Sequence, residues 1–270
     1  GRLSRCQPDQ GLGDEQITVY DANGNILGAR LDDATLSATL DGQSNRLGSV
    51  TLGGATHSVT TTAAGDVSAW GDYSAVTQRC LGQPVRAARG QTVVRLAYGT
   101  QGQRVLRQVQ GGSTRFVHCG AGSAPLLWNT DGAVSVAVWG PSGLVMVADA
   151  GGRCFPVADA LGTVHGLLDA SGSRVARWDW SAFGSLVASE GDTGRLFLGY
   201  QGHEWDPDLG VHDFMTRLYD PTLRRFLAPD PARQYASPYV FVGGDPLSNT
   251  DASGQVSTAK VAVGVATVAI

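Results

Sequence analysis

The chain has 270 residues, 37 of them glycine and 7% aromatic, with 20 basic against 24 acidic side chains and a formal net charge of −4. That length can bury a sizeable core, but the charge balance supplies no positive field for a nucleic-acid partner. Glycine at this density opposes helices, costing about 1 kcal/mol at each interior position, and no window carries a sustained i, i+3, i+4, i+7 apolar stripe. The expectation is an all-β protein.

In chain order, the plainest unit is Tyr20-Asp21-Ala22-Asn23-Gly24-Asn25-Ile26-Leu27. Degenerate copies follow at Leu40-Asp41-Gly42 leading into Arg46-Leu47-Gly48-Ser49-Val50, at Ala64-Gly65-Asp66-Val67, and at Tyr98-Gly99-Thr100-Gln101-Gly102-Gln103-Arg104-Val105. Trp139-Gly140-Pro141-Ser142-Gly143-Leu144 and the well-preserved run from Asp169 to Trp180 complete the series. Each reads as a hairpin, because Asp or Asn followed by glycine adopts left-handed turn conformations cheaply and the flanking Val, Leu, Tyr and Trp suit a half-buried pleated surface. One hairpin cannot bury its own apolar face, so successive units must stack into a continuous sheet. Cys6, Cys80, Cys119 and Cys154 lie too far apart for a CxxC metal or redox motif, and leave open two disulfides in any of three pairings or free thiols.

The run from Tyr200 to Gly254 contains GYQGHEWDPDLG, RLYDPTLRRFLAPDP, SPYVFVGGDPL and TDASG. On local chemistry alone it is a series of short strands broken by Asp-Pro and Asp-x-x-Gly turns. It resembles the Rhs-associated core that closes the YD-repeat proteins, among them Tc-toxin C subunits and teneurins. The matches are Gly202, Glu204, Asp206, Gly210, Arg217, Tyr219, Asp220, Pro221, Arg225, Phe226, Pro229, Asp230, Pro231, Tyr239, Pro246, Asp251 and Gly254. The upstream hairpins likewise resemble YD repeats. The resemblance implies YD-repeat hairpins in a spiralling sheet, part of a hollow shell closed by the Rhs core. It divides the chain into a wall (1–198), a core or end plug (199–254) and the start of a variable C-terminal region (255–270).

In many bacterial relatives the core is an aspartic autoprotease that cuts just after a DPxGL motif. The corresponding carboxylates are Asp230 and Asp251, and the bond at risk follows Gln255. Such chemistry needs two carboxylates close enough that one keeps its proton while the other activates water. Here the motif reads Asp251-Ala252-Ser253-Gly254-Gln255, without the proline and leucine, and both aspartates serve equally well as turn residues. The expectation is an inert or weakly active site.

Glu204, Asp206 and Asp208 alternate like the opening of a calcium loop, but glycine falls one place late at Gly210 and Met215 stands where a bidentate glutamate is required. The five histidines show no i, i+4 or HExxH pairing, and His203 reads as a hydrogen-bonding structural residue. Arg217, Arg224 and Arg225 flank Tyr219-Asp220-Pro221 and read, with Phe226, as a structural clamp around a carboxylate. No metal or cofactor is expected.

The function implied is a secreted or cell-surface β-shell scaffold that encapsulates and presents a C-terminal effector or toxin. Its partners would be its own C-terminal polypeptide and upstream shell strands. The alternatives are an uncut, teneurin-like adhesion module with an extracellular protein or carbohydrate partner, and an active autoprotease. The absence of an initiator methionine at Gly1 and the apolar run Val261–Ile270 suggest a piece of something longer, and that run is about half of the ~20 residues a membrane helix needs.

Overall fold

The computed structural model describes residues 2, 4–6, 16–31, 34–42, 44–78, 83–118, 125–141 and 143–259. Nineteen strands, from Arg5–Cys6 to Leu186–Gly191, form one antiparallel meander in which each strand pairs with its sequence neighbours. Among the described residues no pairing joins the first strand to the last, so the sheet is open. The only helical turns there are three 3-10 segments of three residues each, at Thr193–Arg195, Tyr200–Gly202 and Val242–Gly244.

The two edges of this sheet are built differently. On one edge the strands reverse through two-residue turns, closed by the pairs Leu52↔Ala55, Trp70↔Tyr73, Arg89↔Thr92 and Thr130↔Ala133. On the other edge most of the described turns are wider, the pair Gly140↔Gly143 being an exception. At Asp21, Thr62, Gly99, Asp159 and Ser181, the residue's N–H donates to the carbonyl four positions on, and the glycine three positions on donates back to its carbonyl. The ladder shifts register beside each of these turns, between Val19/Tyr20, Thr60/Thr61, Ala97/Tyr98, Val157/Ala158 and Asp179/Trp180. A type I turn ending in a left-handed glycine bulge has this form, and bulges increase the local bend and twist. Bulges gathered mostly on one edge favour bending of the sheet at that edge.

The units at 159–163 and 181–185 escaped the sequence reading because neither follows the aromatic-Asp pattern. Their signal is the spacing alone, a glycine at the fourth turn position. The same turn also occurs on the narrow edge at Asp169, where the acid accepts N–H groups from Ser171 and Ser173.

After Gly191 the chain folds over the wide-turn edge. It forms a four-stranded sheet of Glu204–Asp206, Val211–Asp213, Leu218–Asp220 and Arg225–Phe226, then pairs Asn249–Asp251 with Ser257–Ala259. Phe183, Tyr200, Phe214, Tyr219, Phe226 and Phe241 pack with Ile26, Val50, Tyr73 and Val94 of the wall in one core. A second core joins Phe116, Trp128, Val147, Leu167 and Trp178 to Leu196 and Leu198. Cys154 is a buried free thiol in that second core, its ionisation opposed by burial. Cys80, Cys119 and the side chain of Cys6 lie outside the described residues, as does the tail beyond Ala259.

Gly184 shows why the wide turns need glycine. Its φ is +81° and an added Cβ would lie 2.6 Å from Cδ1 of buried Tyr200. Gly111, at φ +88° on the narrow edge, has nothing within 4 Å of that position. Chemical denaturation should show Gly184→Ala losing about 2–3 kcal/mol and Gly111→Ala about 1 kcal/mol, because only the first adds a clash to the left-handed penalty.

Candidate functional site

The wide turns are the docking surface for the core. Backbone carbonyls at their tips accept core side chains: Gly65 from Tyr239 (2.8 Å), Ala182 from Tyr200 (2.8 Å), Phe183 from Tyr219 (2.8 Å) and Gly184 from His212 Nε2 (2.8 Å). Thr163 Oγ1 accepts the Gln201 N–H at 3.1 Å, and Asn25 Oδ1 accepts Ser237 Oγ at 2.5 Å. Gln83 of the wall donates to the carbonyls of both Gly102 and Met215. His212 is completely buried, and burial holds its pKa down at about 3, so it stays neutral and donates through Nε2.

A buried charge network locks the core to the wall strand Arg104–Val109. Arg104 contacts Glu204 (Nε to Oε2, 2.6 Å), Asp206 (3.4 Å) and Asp213 (3.6 Å), and all four residues are buried. Arg107 forks onto both oxygens of Asp206, at 2.8 Å each, and also reaches Asp208. The alternating acids are therefore paired with arginines, and among the described residues no group of His, Cys, Asp or Glu is arranged to hold a metal. Three buried carboxylates around Arg104 exceed the charge it can balance. Burial pushes Asp213 up to about 7 with Arg104 opposing, and its Oδ2 has no hydrogen-bond partner. A small cavity, bounded by Arg104, Glu204, Asp213 and His203, adjoins it.

Asp230 and Asp251 are brought together, but by an arginine. Arg217 Nη2 lies 3.9 Å from Asp230 Oδ1 and 3.5 Å from Asp251 Oδ2. The same guanidinium donates to the carbonyls of Gly254 and Pro238, and stacks 3.6 Å above the Phe226 ring. Burial lowers its pKa to about 10 despite the two acids. Each aspartate is dressed as a turn residue. Asp230 accepts the N–H groups of Ala232 (2.9 Å) and Gln234 (3.1 Å), and Asp251 Oδ1 accepts those of Ser253 (3.2 Å) and Gln255 (3.1 Å). This is the pattern of Asp159 and Asp169 in the wall. Burial raises the Asp251 pKa. His203 donates to the Asp251 carbonyl at 2.8 Å and stacks on Phe214. A cavity of roughly 670 Å³ opens beside Arg217, Asp230, Arg233, Tyr235 and Gln255.

The expected clamp around Asp220 has different members. Arg217, Tyr219, Asp220, Arg225 and Phe226 are all buried, but Asp220 binds Arg89 (3.3 Å) and Trp70 Nε1 (3.1 Å) of the wall, and the N–H groups of Thr222 and Leu223. Arg224 instead reaches Thr18 and the Arg30 carbonyl, and Arg225 reaches the Asn45 carbonyl at 2.8 Å. Sequence proximity suggested a local fork, but a short β-hairpin points these groups outward to the wall strands around it.

A family model for the teneurin YD-shell matches residues 1–240. The chain belongs to the teneurin YD-shell family. Its wall is the shell's sheet, and its role is that of a shell scaffold. Over 92 residues it is 36% identical to salivary gland surface protein 1 of Aedes aegypti, a match covering 33% of this chain and 3% of that protein. Over 169 residues it is 28% identical to the tRNA3(Ser)-specific nuclease WapA of Bacillus spizizenii, covering 58% of this chain and 7% of the nuclease. A crystal structure of TcdB2-TccC3-TEV superposes with a TM-score of 0.63 at 15% identity, covering 91% of this chain and 16% of that one. A Photorhabdus luminescens Tc holotoxin pore gives a TM-score of 0.61 at 13% identity, covering 95% and 16%. The shell segment thus spans a small part of each relative.

Within this shell segment, the partners of the core's acids could not be read locally. Arg89, Arg104 and Arg107 lie about 100 to 130 residues upstream of the acids they bind, beyond the reach of any local pattern.

A stability prediction follows from Asp213. Its folded pKa, about 7, lies above the ordinary carboxylate value near 4, so the neutral form's stabilisation is complete below about pH 4 and is lost as pH rises through 7. Asp213→Asn stays neutral throughout. Thermal melts should therefore show the variant gaining on the native protein as pH climbs from about 4 to about 7; a constant difference in Tm would contradict the assignment.

Proposed function

We propose that this chain is the closing portion of a YD shell that encloses and presents a polypeptide following Ala259, an effector or toxin, outside the cell that makes it. The observation that carries this reading is the seating of the core on the described wide turns, at 21–25, 62–66, 99–103, 159–163 and 181–185, so that the segment from which the chain leaves lies against that edge of the wall. Upstream shell strands would extend the open sheet. Two comparisons support a downstream effector. The WapA relatives are named as tRNA nucleases, and one solved neighbour is a TcdB2-TccC3 structure without its hypervariable C-terminal region. In a longer native chain, the polypeptide beyond Ala259 should resist added protease while the folded shell is intact and lose that resistance when the shell is unfolded.

A second reading, an uncut surface module of the adhesion type, is favoured by the turn hydrogen bonds and the arginine that already engage Asp230 and Asp251 and by the relative named as a surface protein. A carboxylate already accepting two N–H groups and facing an arginine is a poor base for water. Intact-mass analysis of a chain carrying native sequence beyond Ile270 should give one uncut mass, the same for Asp230→Asn and Asp251→Asn apart from the substitution. A break after Gln255 that either substitution abolishes would instead establish aspartic autoproteolysis.

A further inference from the structure

The first residues beyond Gln255 are held in an unusual way. Ser257 lies in the strand Ser257–Ala259, whose ladder partner is Asn249–Asp251. Its main-chain N–H donates to Gln234 Oε1 at 2.9 Å, and its main-chain carbonyl accepts from Gln234 Nε2 at 3.0 Å. One primary amide thus satisfies both polar groups that a neighbouring strand would otherwise pair. The Ser257 hydroxyl adds a bond to Gln234 Oε1 (3.0 Å) and one to the Tyr235 hydroxyl.

The two aspartates build this grip. Asp230 fixes the turn that carries Gln234, through the N–H groups of Ala232 and Gln234 itself. Asp251 fixes the turn that delivers the chain to Ser257, through the N–H groups of Ser253 and Gln255. Arg217 lies between the two carboxylates and holds the Gly254 carbonyl, setting the separation of the turns.

We propose that Gln234 and Tyr235 form an exit clamp, which grips the polypeptide leaving the core by its main chain at residue 257 and so accepts downstream sequences of differing composition. The clamp reads only the extended backbone plus one hydroxyl. Its occupant is therefore the C-terminal continuation of this same chain, with serine or threonine favoured at 257. On this view Asp230 and Asp251 are positioning residues for the clamp. The inference rests on the reading that a polypeptide is presented beyond Ala259, but its contacts can be tested apart from any cargo.

The test is hydrogen–deuterium exchange followed by mass spectrometry on the whole 270-residue chain, comparing Gln234→Ala, Gln234→Glu and Ser257→Val with the native protein. Gln234→Ala should speed exchange across 249–259 about tenfold, as expected for losing main-chain hydrogen bonds of ordinary strength, and leave 104–118 unchanged. Gln234→Glu, which keeps the acceptor but not the donor, should give a smaller increase at the same place. Ser257→Val should stay within about threefold of the native protein, because the main-chain bonds persist. Native exchange rates in both Gln234 variants would overturn the clamp. So would an increase spread over the wall strands, which would make Gln234 a general stability residue. Tenfold faster exchange in Ser257→Val would overturn main-chain reading in favour of side-chain recognition. None of these results depends on whether the downstream polypeptide is enclosed, which the protease-resistance experiment decides separately.

Discussion

Everything in this structure depends on the wide, glycine-bulged turns along one edge of the sheet. A bulged turn leaves carbonyl oxygens at its tip that no ladder uses, and buried carbonyls without partners cost free energy. The core supplies donors to them: Tyr239 at an early turn, and Tyr200, Tyr219 and His212 at the late turn 181–185. Those donors are aromatic or ring side chains, whose apolar bodies fill the space beneath while the polar end reaches the turn. Packing and hydrogen bonding thus require the same placement of the core, and a shift of the core by one turn would break both.

Charge inside the shell is handled almost wholly by arginine. All but one of the 20 cationic residues are arginine, Lys260 being the exception. A planar guanidinium can bind several acceptors in fixed directions and is more weakly hydrated than an ammonium, so it suits buried positions that must join several elements. Arg104 joins a wall strand to three acids on two core strands, and Arg217 joins two turns and two carbonyls. Removing one partner of such a group leaves a buried charge uncompensated, which is more damaging than the pair's own net contribution. These arginines make the wall and core depend on one another.

Asp230 and Asp251 illustrate how one local device serves different ends. The five-residue pattern Asp-Ala-Ser-Gly-x occurs at 169–173 in the wall and at 251–255 in the core, and in both the acid accepts N–H groups two and four residues on. What differs is the environment. Asp169 is only partly buried and its hydrogen bonds lower its pKa, whereas burial raises that of Asp251 beside Arg217. A repeat turn buried next to a second carboxylate is the material from which an acid–base pair can be assembled, and here it shapes the exit of the chain.

The sequence by itself determined the hairpins, because a glycine at a fixed turn position and alternating apolar residues act within ten residues. For the run from Tyr200 to Gly254, local chemistry read only short strands broken by turns; its standing as one core was implied by the family resemblance. The sequence under-counted the turns at 159–163 and 181–185, where Leu-Gly and Phe-Gly replace the acid-and-asparagine signal. Only the tertiary structure decided who pairs with whom. Asp220 meets Arg89 and not its neighbour Arg225; Glu204, Asp206 and Asp208 meet Arg104 and Arg107 of a distant wall strand; Gln234 meets Ser257. The physical reason is one of range. Turn and strand preferences are set by dihedral angles of adjacent residues, but the partner of a buried charge is set by which of the nineteen wall strands the core is packed against, and those contacts span about 100 residues or more of chain.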